Sequence, residues 1–293
     1  MNMDNSTDMD NSPNADKSIS NNVTKIVITG ALGCGKTSYV ALSLYCMYRL
    51  SLRKDSTYAL WTMDHENETI YLSDYPDLMK RGKWPDKTQI KFEGLFHLEY
   101  DNFISRCCMG SWRKRTRSES LVRLVDLSGE VCSRKEQDAK DFSEALQKTQ
   151  DAEYFMLVVD ACRMEDNDEV QKDTMKGLGF ILDKHIREKK DIKLAVVFTK
   201  CDRLSPDRYP VETRVEDLTN RFQDYCSAAS QVFAKATTEY FCVSCLPNPA
   251  HLEVSTMAGS VANSDWSWED MIDQLGPWEW MFKKMSYLRG LTW

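Results

Sequence analysis

Residues 30–38 carry the pattern with the clearest chemistry in this sequence, G-x-x-x-x-G-K-[ST]. An apolar stretch, Lys25–Thr29, leads into Gly30, Ala31, Leu32, Gly33, Cys34, Gly35, Lys36, Thr37 and Ser38. Glycines let the backbone curl so that successive N–H groups face phosphate oxygens, and a helix that starts there adds the positive end of its dipole. Lys36 can reach the β- and γ-phosphates, and the Thr37 hydroxyl can occupy one position on Mg²⁺. Because a strand precedes the pattern and a helix follows it, we predict a nucleoside triphosphate-binding loop rather than an ordinary glycine-rich turn. Residues 30–38 are called the phosphate loop below.

A second motif, D-x-x-G, follows the apolar stretch Leu121–Val125. Its carboxylate is Asp126 and its glycine is Gly129. Asp126 can hold Mg²⁺ through a water molecule and so extend the metal shell that Thr37 begins. The N–H of Gly129 can approach a γ-phosphate. The motif is weak by itself, and its place after a strand and downstream of the phosphate loop strengthens it.

A third motif, Thr199-Lys200-Cys201-Asp202, fits [NT]-K-x-D after another apolar stretch. The Asp202 carboxylate can accept hydrogen bonds from both N1–H and the exocyclic amine of guanine, whereas adenine offers no such pair of donors. Lys200 can lie along the face of the purine. This motif predicts selection of GTP over ATP, and the alternative is an ordinary polar turn at a strand end.

The elements that must position these motifs alternate between strands and helices. Strand-like patterns cover residues 25–29, 89–100, 121–125, 154–161, 192–198 and 240–243, and helical patterns cover 39–49, 134–148, 170–188, 215–236, 268–275 and 278–288. This alternation predicts an α/β fold with a mostly parallel sheet, in which ligands bind beyond the carboxyl ends of the strands. Residues 51–87 have no clear period and are predicted to be irregular. Residues 1–22 are polar and poor in core-forming side chains, so we expect a disordered tail before one domain over residues 23–293.

Bulk composition excludes some classes of protein. A formal net charge of −7 disfavours a nucleic-acid-binding protein, although the basic run 113–117 is a local exception that we expect to be a solvated loop. The ten cysteines form no disulfide framework or zinc pattern, since Cys242-Val243-Ser244-Cys245 has no second pair. No apolar run is long enough to span a membrane, and the N-terminus does not resemble a signal peptide. We therefore expect a soluble cytoplasmic protein.

Taken together, the ordered motifs resemble those of the Ras-like P-loop GTPases over Lys25 to Leu246. In that family a Ser-Ala-x triplet follows the last strand and its backbone amide meets guanine O6; here the triplet is Ser244, Cys245 and Leu246. The segment 81–88, which includes Trp84-Pro85-Asp86-Lys87-Thr88, resembles the W-P-x-x-T switch segment of the double-GTPase proteins of bacterial conflict (defence) systems. The resemblance implies a three-layer fold, in which a sheet of about six mostly parallel strands lies between two layers of helices. It also implies bound GTP or GDP and Mg²⁺.

The resemblance also implies roles for individual residues. Thr88 matches the switch threonine that ligates Mg²⁺ and senses the γ-phosphate, with Thr62 and Thr69 as rivals because this loop is long. Thr88 and Gly129 are then expected to bind the γ-phosphate and order two loops, which hydrolysis releases. Glu130 departs from the family, in which glutamine orients the attacking water at this position. We therefore expect slow turnover without a partner, and Arg81 is the nearest arginine that could act in cis.

Two functions from different classes remain open on the sequence. The first is a GTP-binding switch that hydrolyses GTP, with a protein effector or regulator as partner. The second is a catalytically weak or inactive guanine-nucleotide-binding interaction module, in which Glu130 reflects lost catalysis. The tryptophan-rich end (Trp266, Trp268, Trp278, Trp280, Trp293) could dock a partner or a membrane surface, but the helical spacing of its apolar residues favours a last helix that covers the sheet.

Overall fold

The computed structural model describes most of the predicted domain. The described residues are 23–51, 58–62, 91–104, 114–127, 143, 147–188, 191–210, 212–226, 230–243 and 275–281. The predicted tail 1–22 lies outside them.

Seven strands in the described part of the chain form one sheet. They are β1 (Val23–Gly30), β2 (Tyr58–Thr62), β3 (Lys91–Ile104), β4 (Lys114–Leu127), β5 (Tyr154–Asp160), β6 (Lys193–Thr199) and β7 (Thr237–Cys242). Their order across the sheet is β2-β3-β4-β1-β5-β6-β7. The five strands from β4 to β7 in this order pair in parallel, whereas β3 is antiparallel to both β2 and β4.

Five α-helices with defined bounds lie in the described ranges. They are α1 (Lys36–Ser51), α2 (Ala161–Glu165), α3 (Glu169–Glu188), α4 (Arg214–Tyr225) and α5 (Ser230–Phe233). Residues 147–149 and 276–281 are also helical. Pro277 lies in the first turn of the last helical segment, where its missing N–H would have no intrahelical acceptor.

The sheet separates two apolar cores, and β5 shows the division residue by residue. Tyr154, Met156 and Val158 belong to the core under α1 and residues 276–281. Phe155, Leu157 and Val159 belong to the core under α3 and α4. All seven residues of β5 are buried, as a parallel strand covered on both faces requires. The three-layer α/β fold expected from the sequence is therefore confirmed.

The expected strand number was slightly wrong, because β2 was not predicted. Residues 51–87 were expected to be irregular, yet Tyr58–Thr62 pair with residues 96–100 of β3. A strand of five residues at a sheet edge obtains its hydrogen bonds from its neighbour, so its own sequence pattern is weak.

The basic run 113–117 was expected to lie in a loop, and this expectation was wrong for its described part. Lys114–Leu127 forms one strand, and its first residues pair with the end of β3, so that Lys114 lies opposite Ile104. Cross-strand pairing thus imposes strand structure on a segment that is almost entirely polar.

The helix expected over residues 215–236 is also shorter than predicted. α4 ends at Tyr225, with Cys226 as its C-terminal cap, and α5 begins at Ser230. The six cysteines in the described ranges, Cys34, Cys46, Cys162, Cys201, Cys226 and Cys242, are thiols and not disulfides. Among the described helices, none combines the length and the hydropathy that a membrane crossing needs.

Candidate functional site

The phosphate loop begins where β1 meets β5. A Cβ atom at Gly30 would lie 2.3 Å from the carbonyl oxygen of Val158 and 2.8 Å from Cys34 Sγ. No side chain fits in that space, because the nearest atom belongs to backbone inside the sheet. Gly30 is therefore required for the close approach of the two chains.

Two further glycines give the loop its curvature. Gly33 has a φ of 75° and Gly35 has a φ of 86°, a region that glycine enters without steric penalty. The N–H of Cys34 donates to the carbonyl of Ala31 at 3.2 Å, which closes the turn. The N–H of Tyr39 then donates to the carbonyl of Gly35 at 2.8 Å, the first bond of the α1 ladder. The N-terminus of α1 therefore lies at the carboxyl end of β1, the geometry of an anion-binding site.

The two polar side chains that start α1 are held within the protein. Lys36 is 5% exposed and Thr37 is 9% exposed. A lysine is almost never buried to this extent unless it has polar partners. Both side chains are therefore covered by surrounding protein atoms and do not project into solvent.

The turn after β6 contacts the phosphate loop directly. The Thr199 hydroxyl donates to the carbonyl of Cys34 at 2.6 Å, and the carbonyl of Val159 lies 3.2 Å from the same oxygen. The Lys200 ammonium donates to the carbonyl of Gly33 at 3.1 Å. Residues that are more than 160 positions apart along the chain therefore meet through hydrogen bonds at one edge of the sheet.

Asp160 holds Lys200 in this position. Its Oδ2 accepts from the Lys200 ammonium at 2.6 Å, and its side chain is only 2% exposed. Its Oδ1 accepts from the N–H groups of Cys162 and Arg163, so the same carboxylate caps the N-terminus of α2. The Gln171 side chain bonds both the N–H and the carbonyl of Asp160. Sequence analysis did not select Asp160, although a carboxylate at the carboxyl end of a buried strand was a usable signal.

Cys201 anchors the short turn that carries Asp202. Residues Cys201–Arg203 form one turn of 3-10 helix, and the Cys201 thiol donates to the carbonyl of Phe198 at 3.2 Å. A hydrogen bond with the Cys242 thiol, and then burial, raise the pKa of Cys201 well above its ordinary value. Cys201 is therefore a neutral packing group at physiological pH, and it joins the turn after β6 to the end of β7.

The structure brings together part of the predicted site. Residues 30–38 meet Thr199 and Lys200, and Asp202 follows in the same turn. The backbone of Asp126 lies in β4 opposite Ile28 of β1, two residues before the phosphate loop. Thr62 is the last residue of β2. The other predicted site residues lie outside the described ranges: Thr69, Arg81, Thr88, Gly129, Glu130, Ser244, Cys245 and Leu246.

The α/β fold and the loop at the carboxyl end of β1 have the arrangement expected of a P-loop nucleotide-binding domain, and known proteins offer a comparison. Residues 109–244, a little under half of the chain, match the family model Double-GTPase 2. The match confirms the predicted resemblance to P-loop GTPases of the double-GTPase type and supports GTP binding. Because the matched segment does not include residues 30–38, the phosphate loop is a separate indication of nucleotide binding. None of the curated proteins matches this chain.

Two solved structures are among those to which this chain is similar. One is the signal recognition particle receptor SRb-GTP/SRX complex from Chaetomium thermophilum, at 11% identity and a TM-score of 0.37, covering 80% of this chain and 94% of that chain. The other is sup35 complexed with GDP, at 14% identity and a TM-score of 0.35. That match covers 78% of this chain and 39% of the sup35 chain, so the present chain corresponds to well under half of it.

Proposed function

We propose that this protein is a Mg²⁺-dependent GTP-binding switch that hydrolyses GTP to GDP slowly. The observation that carries the proposal is the direct contact between two motifs, through Thr199 to Cys34 and through Lys200 to Gly33. One motif has the chemistry to bind phosphates and the other has the chemistry to bind a base. Their contact supports a single site for one nucleotide.

Selection of guanine is assigned to the turn after β6. Asp202 follows Lys200 in this turn, and its carboxylate would accept from the two donors that guanine presents side by side. The backbone of Ser244, Cys245 and Leu246, just after β7, is assigned to guanine O6. The parallel pairing of β6 with β7 supports this assignment, because it brings the carboxyl ends of both strands to the same edge.

The donors near the phosphate loop fit Mg²⁺. Thr37 offers a hydroxyl oxygen at the start of α1, and Asp126 offers a carboxylate on the strand next to β1. Oxygen donors of this kind suit a hard cation, and Thr88 is the proposed third donor. When bound, the metal neutralises charge on the phosphate oxygens. Lys36, which is buried beside the loop, is assigned to the β- and γ-phosphates.

Slow turnover is assigned to Glu130. A carboxylate at the position where this class of protein uses glutamine can orient water, but it also repels the γ-phosphate. Thr88 and Gly129 are assigned to γ-phosphate binding and to ordering of the switch loops. The proposed setting is a cytoplasmic conflict or defence complex in which a protein partner acts as effector or accelerates hydrolysis.

The test starts with the purified full chain and identifies its copurifying nucleotide by mass. We expect GTP or GDP in the wild type, and competition with ATP should leave that nucleotide in place. Asp202→Ala removes two hydrogen bonds to the base and should weaken GTP binding by about a hundredfold or more, since each hydrogen bond to a charged group contributes about 1.5–3 kcal/mol. Asp207→Ala, in the exposed turn just beyond, is the matched control and should bind GTP like the wild type.

A single-turnover assay on the same preparation separates the switch from the interaction module. Slow release of phosphate that requires Mg²⁺ supports the switch. Retained GTP without phosphate release would leave only the guanine-nucleotide-binding module. A wild-type protein that prefers ATP would overturn both functions.

A further inference from the structure

Three consecutive carbonyl groups of the phosphate loop accept hydrogen bonds from side chains elsewhere in the chain. Thr199 and Lys200 bond the carbonyls of Cys34 and Gly33, as described above. The third carbonyl, that of Leu32 at the tip of the loop, accepts from Arg163 Nη1 at 2.6 Å. Arg163 belongs to no motif that sequence analysis identified.

The guanidinium of Arg163 is fixed from its other side by Asp168. Arg163 Nε donates to Asp168 Oδ2 at 3.2 Å, and Arg163 Nη2 donates to Asp168 Oδ1 at 3.0 Å. This two-pronged geometry sets the plane of the guanidinium as well as its position. An arginine held in this way can direct one of its remaining N–H groups at one fixed acceptor.

Asp168 is itself held by the helices around it. Its Oδ1 accepts from the N–H of Gln171 at 2.7 Å, which caps the start of α3. Its carbonyl accepts from the Tyr225 hydroxyl at 2.6 Å, which ties it to the end of α4. The Arg163–Asp168 pair is therefore anchored to α2, α3 and α4, while the carbonyl that it holds belongs to the loop after β1.

The position of the Leu32 carbonyl determines the direction in which the N–H of Gly33 points. In a trans peptide the C=O of one residue and the N–H of the next point to opposite sides. When Arg163 holds the Leu32 carbonyl, the N–H of Gly33 points in the opposite direction within the same peptide plane. A concave row of such N–H groups is what binds phosphate oxygens.

We propose that Arg163, fixed by Asp168, is a positioning residue that aims the Gly33 N–H at the bound phosphates. This inference rests on the proposed function, because it assumes that the loop binds a nucleotide. Most exposed ion pairs contribute little to stability. This pair differs because its third contact sets the conformation of a loop 131 positions away in sequence.

The experiment measures dissociation of fluorescent GDP from the full chain and melting of the nucleotide-free protein. Arg163→Ala should speed GDP dissociation about tenfold, as loss of a hydrogen bond from a charged group predicts. Asp168→Asn keeps an oxygen that can cap α3 but loses the charge, and should speed dissociation about threefold. Arg163→Lys keeps one donor and should give an intermediate rate. The nucleotide-free melting temperatures should stay within about 2 °C of the wild type.

Arg187→Ala is the matched control. Arg187 pairs with Asp183 at 2.5 Å on α3, and its side chain is 77% exposed. Loss of this pair should leave GDP dissociation within about twofold of the wild type, since exposed helix pairs contribute only about 0.3–0.5 kcal/mol. Arg163→Ala or Asp168→Asn rates as close to the wild type as the control's would overturn the proposal. A fall in melting temperature large enough to explain the faster release of GDP would also overturn the proposal.

A wild type that binds no guanine nucleotide would contradict the proposed function and not this inference. In that case the same variants are compared for binding of magnesium pyrophosphate, which needs the loop but no base. Weaker binding in Arg163→Ala than in Arg187→Ala would support the positioning role. Equal binding, or no binding to the wild type, would overturn it.

Discussion

The turns after β1 and β6 contact each other, yet they are built in different ways. The first uses glycine at positions 30, 33 and 35, so that the backbone itself can approach a ligand. The second places Lys200 in the left-handed region, with a φ of 59°, where a side chain is unfavourable. Its lysine and threonine then donate to carbonyls of the first turn. The comparison teaches that glycine shapes the backbone of one turn, whereas side chains at the other hold the carbonyl groups of that backbone in place.

The largest loss of stability is expected in the turn after β1, which depends on glycine. Gly30→Ala would place a Cβ 2.3 Å from the Val158 carbonyl, so the sheet or the loop must shift. We expect a loss of about 3 kcal/mol in the free energy of unfolding, the upper end for overpacking, together with loss of GDP retention. Urea denaturation and nucleotide content measure the two effects.

Gly33→Ala is the control for this substitution. It adds the same atom where nothing lies within 4 Å, so only the positive φ opposes it. The expected loss is roughly 1 kcal/mol. Equal losses for the two variants would show that the contact with β5 is not what requires Gly30.

An intermediate loss of stability is expected in the turn after β6, which depends on side-chain contacts. Lys200→Ala leaves the Asp160 carboxylate, 2% exposed, without its ammonium partner. The free energy of unfolding should fall by about 2 kcal/mol, less than the ~3–5 of a fully buried pair because the Lys200 side chain is 31% exposed. Urea denaturation at neutral pH measures this loss.

Lys176→Ala is the matched control, because Lys176 pairs with Asp173 on the surface of α3. Its loss should stay below about 0.5 kcal/mol. If both lysine variants lost the same amount, the Asp160–Lys200 pair would have no special role in the turn.

The smallest effect concerns the loop that follows the second turn, where the Tyr209 hydroxyl donates to Glu165 of α2. Burial, and then the bond to Glu165, raise the pKa of Tyr209 from 10.0 to about 12. Stability from this group is complete below pH 10, and it is lost as pH rises toward 12 because the unfolded chain releases its proton first. Tyr209→Phe should lose about 1 kcal/mol at pH 9 and less at pH 11.

Urea denaturation of both proteins at these two pH values tests the prediction. Other tyrosines ionise in both proteins, so the difference between wild type and variant reports Tyr209. A difference that stays constant between pH 9 and pH 11 would contradict the assigned link to Glu165.

The parts of the fold that sequence analysis predicted are those in which local pattern and tertiary role agree. The apolar run at 154–161 corresponds to β5, and the glycine spacing at 30–35 corresponds to the observed loop. β2 and the polar start of β4 were missed, because strand structure there comes from pairing with β3 and not from their own residues. Arg163 was missed for a related reason: its contact with Leu32 joins the short helix α2 to the phosphate loop, and no pattern in the sequence connects these two segments.

The bond from the Thr199 hydroxyl to the carbonyl of Cys34 bears on how tightly a ligand can be held. A glycine-rich segment on its own samples many conformations and must give up that entropy when it binds an anion. Here the protein's own bonds have already restricted the segment before any anion arrives. Such preorganisation reduces the entropic penalty of association, so more of the interaction energy with the phosphates appears as affinity.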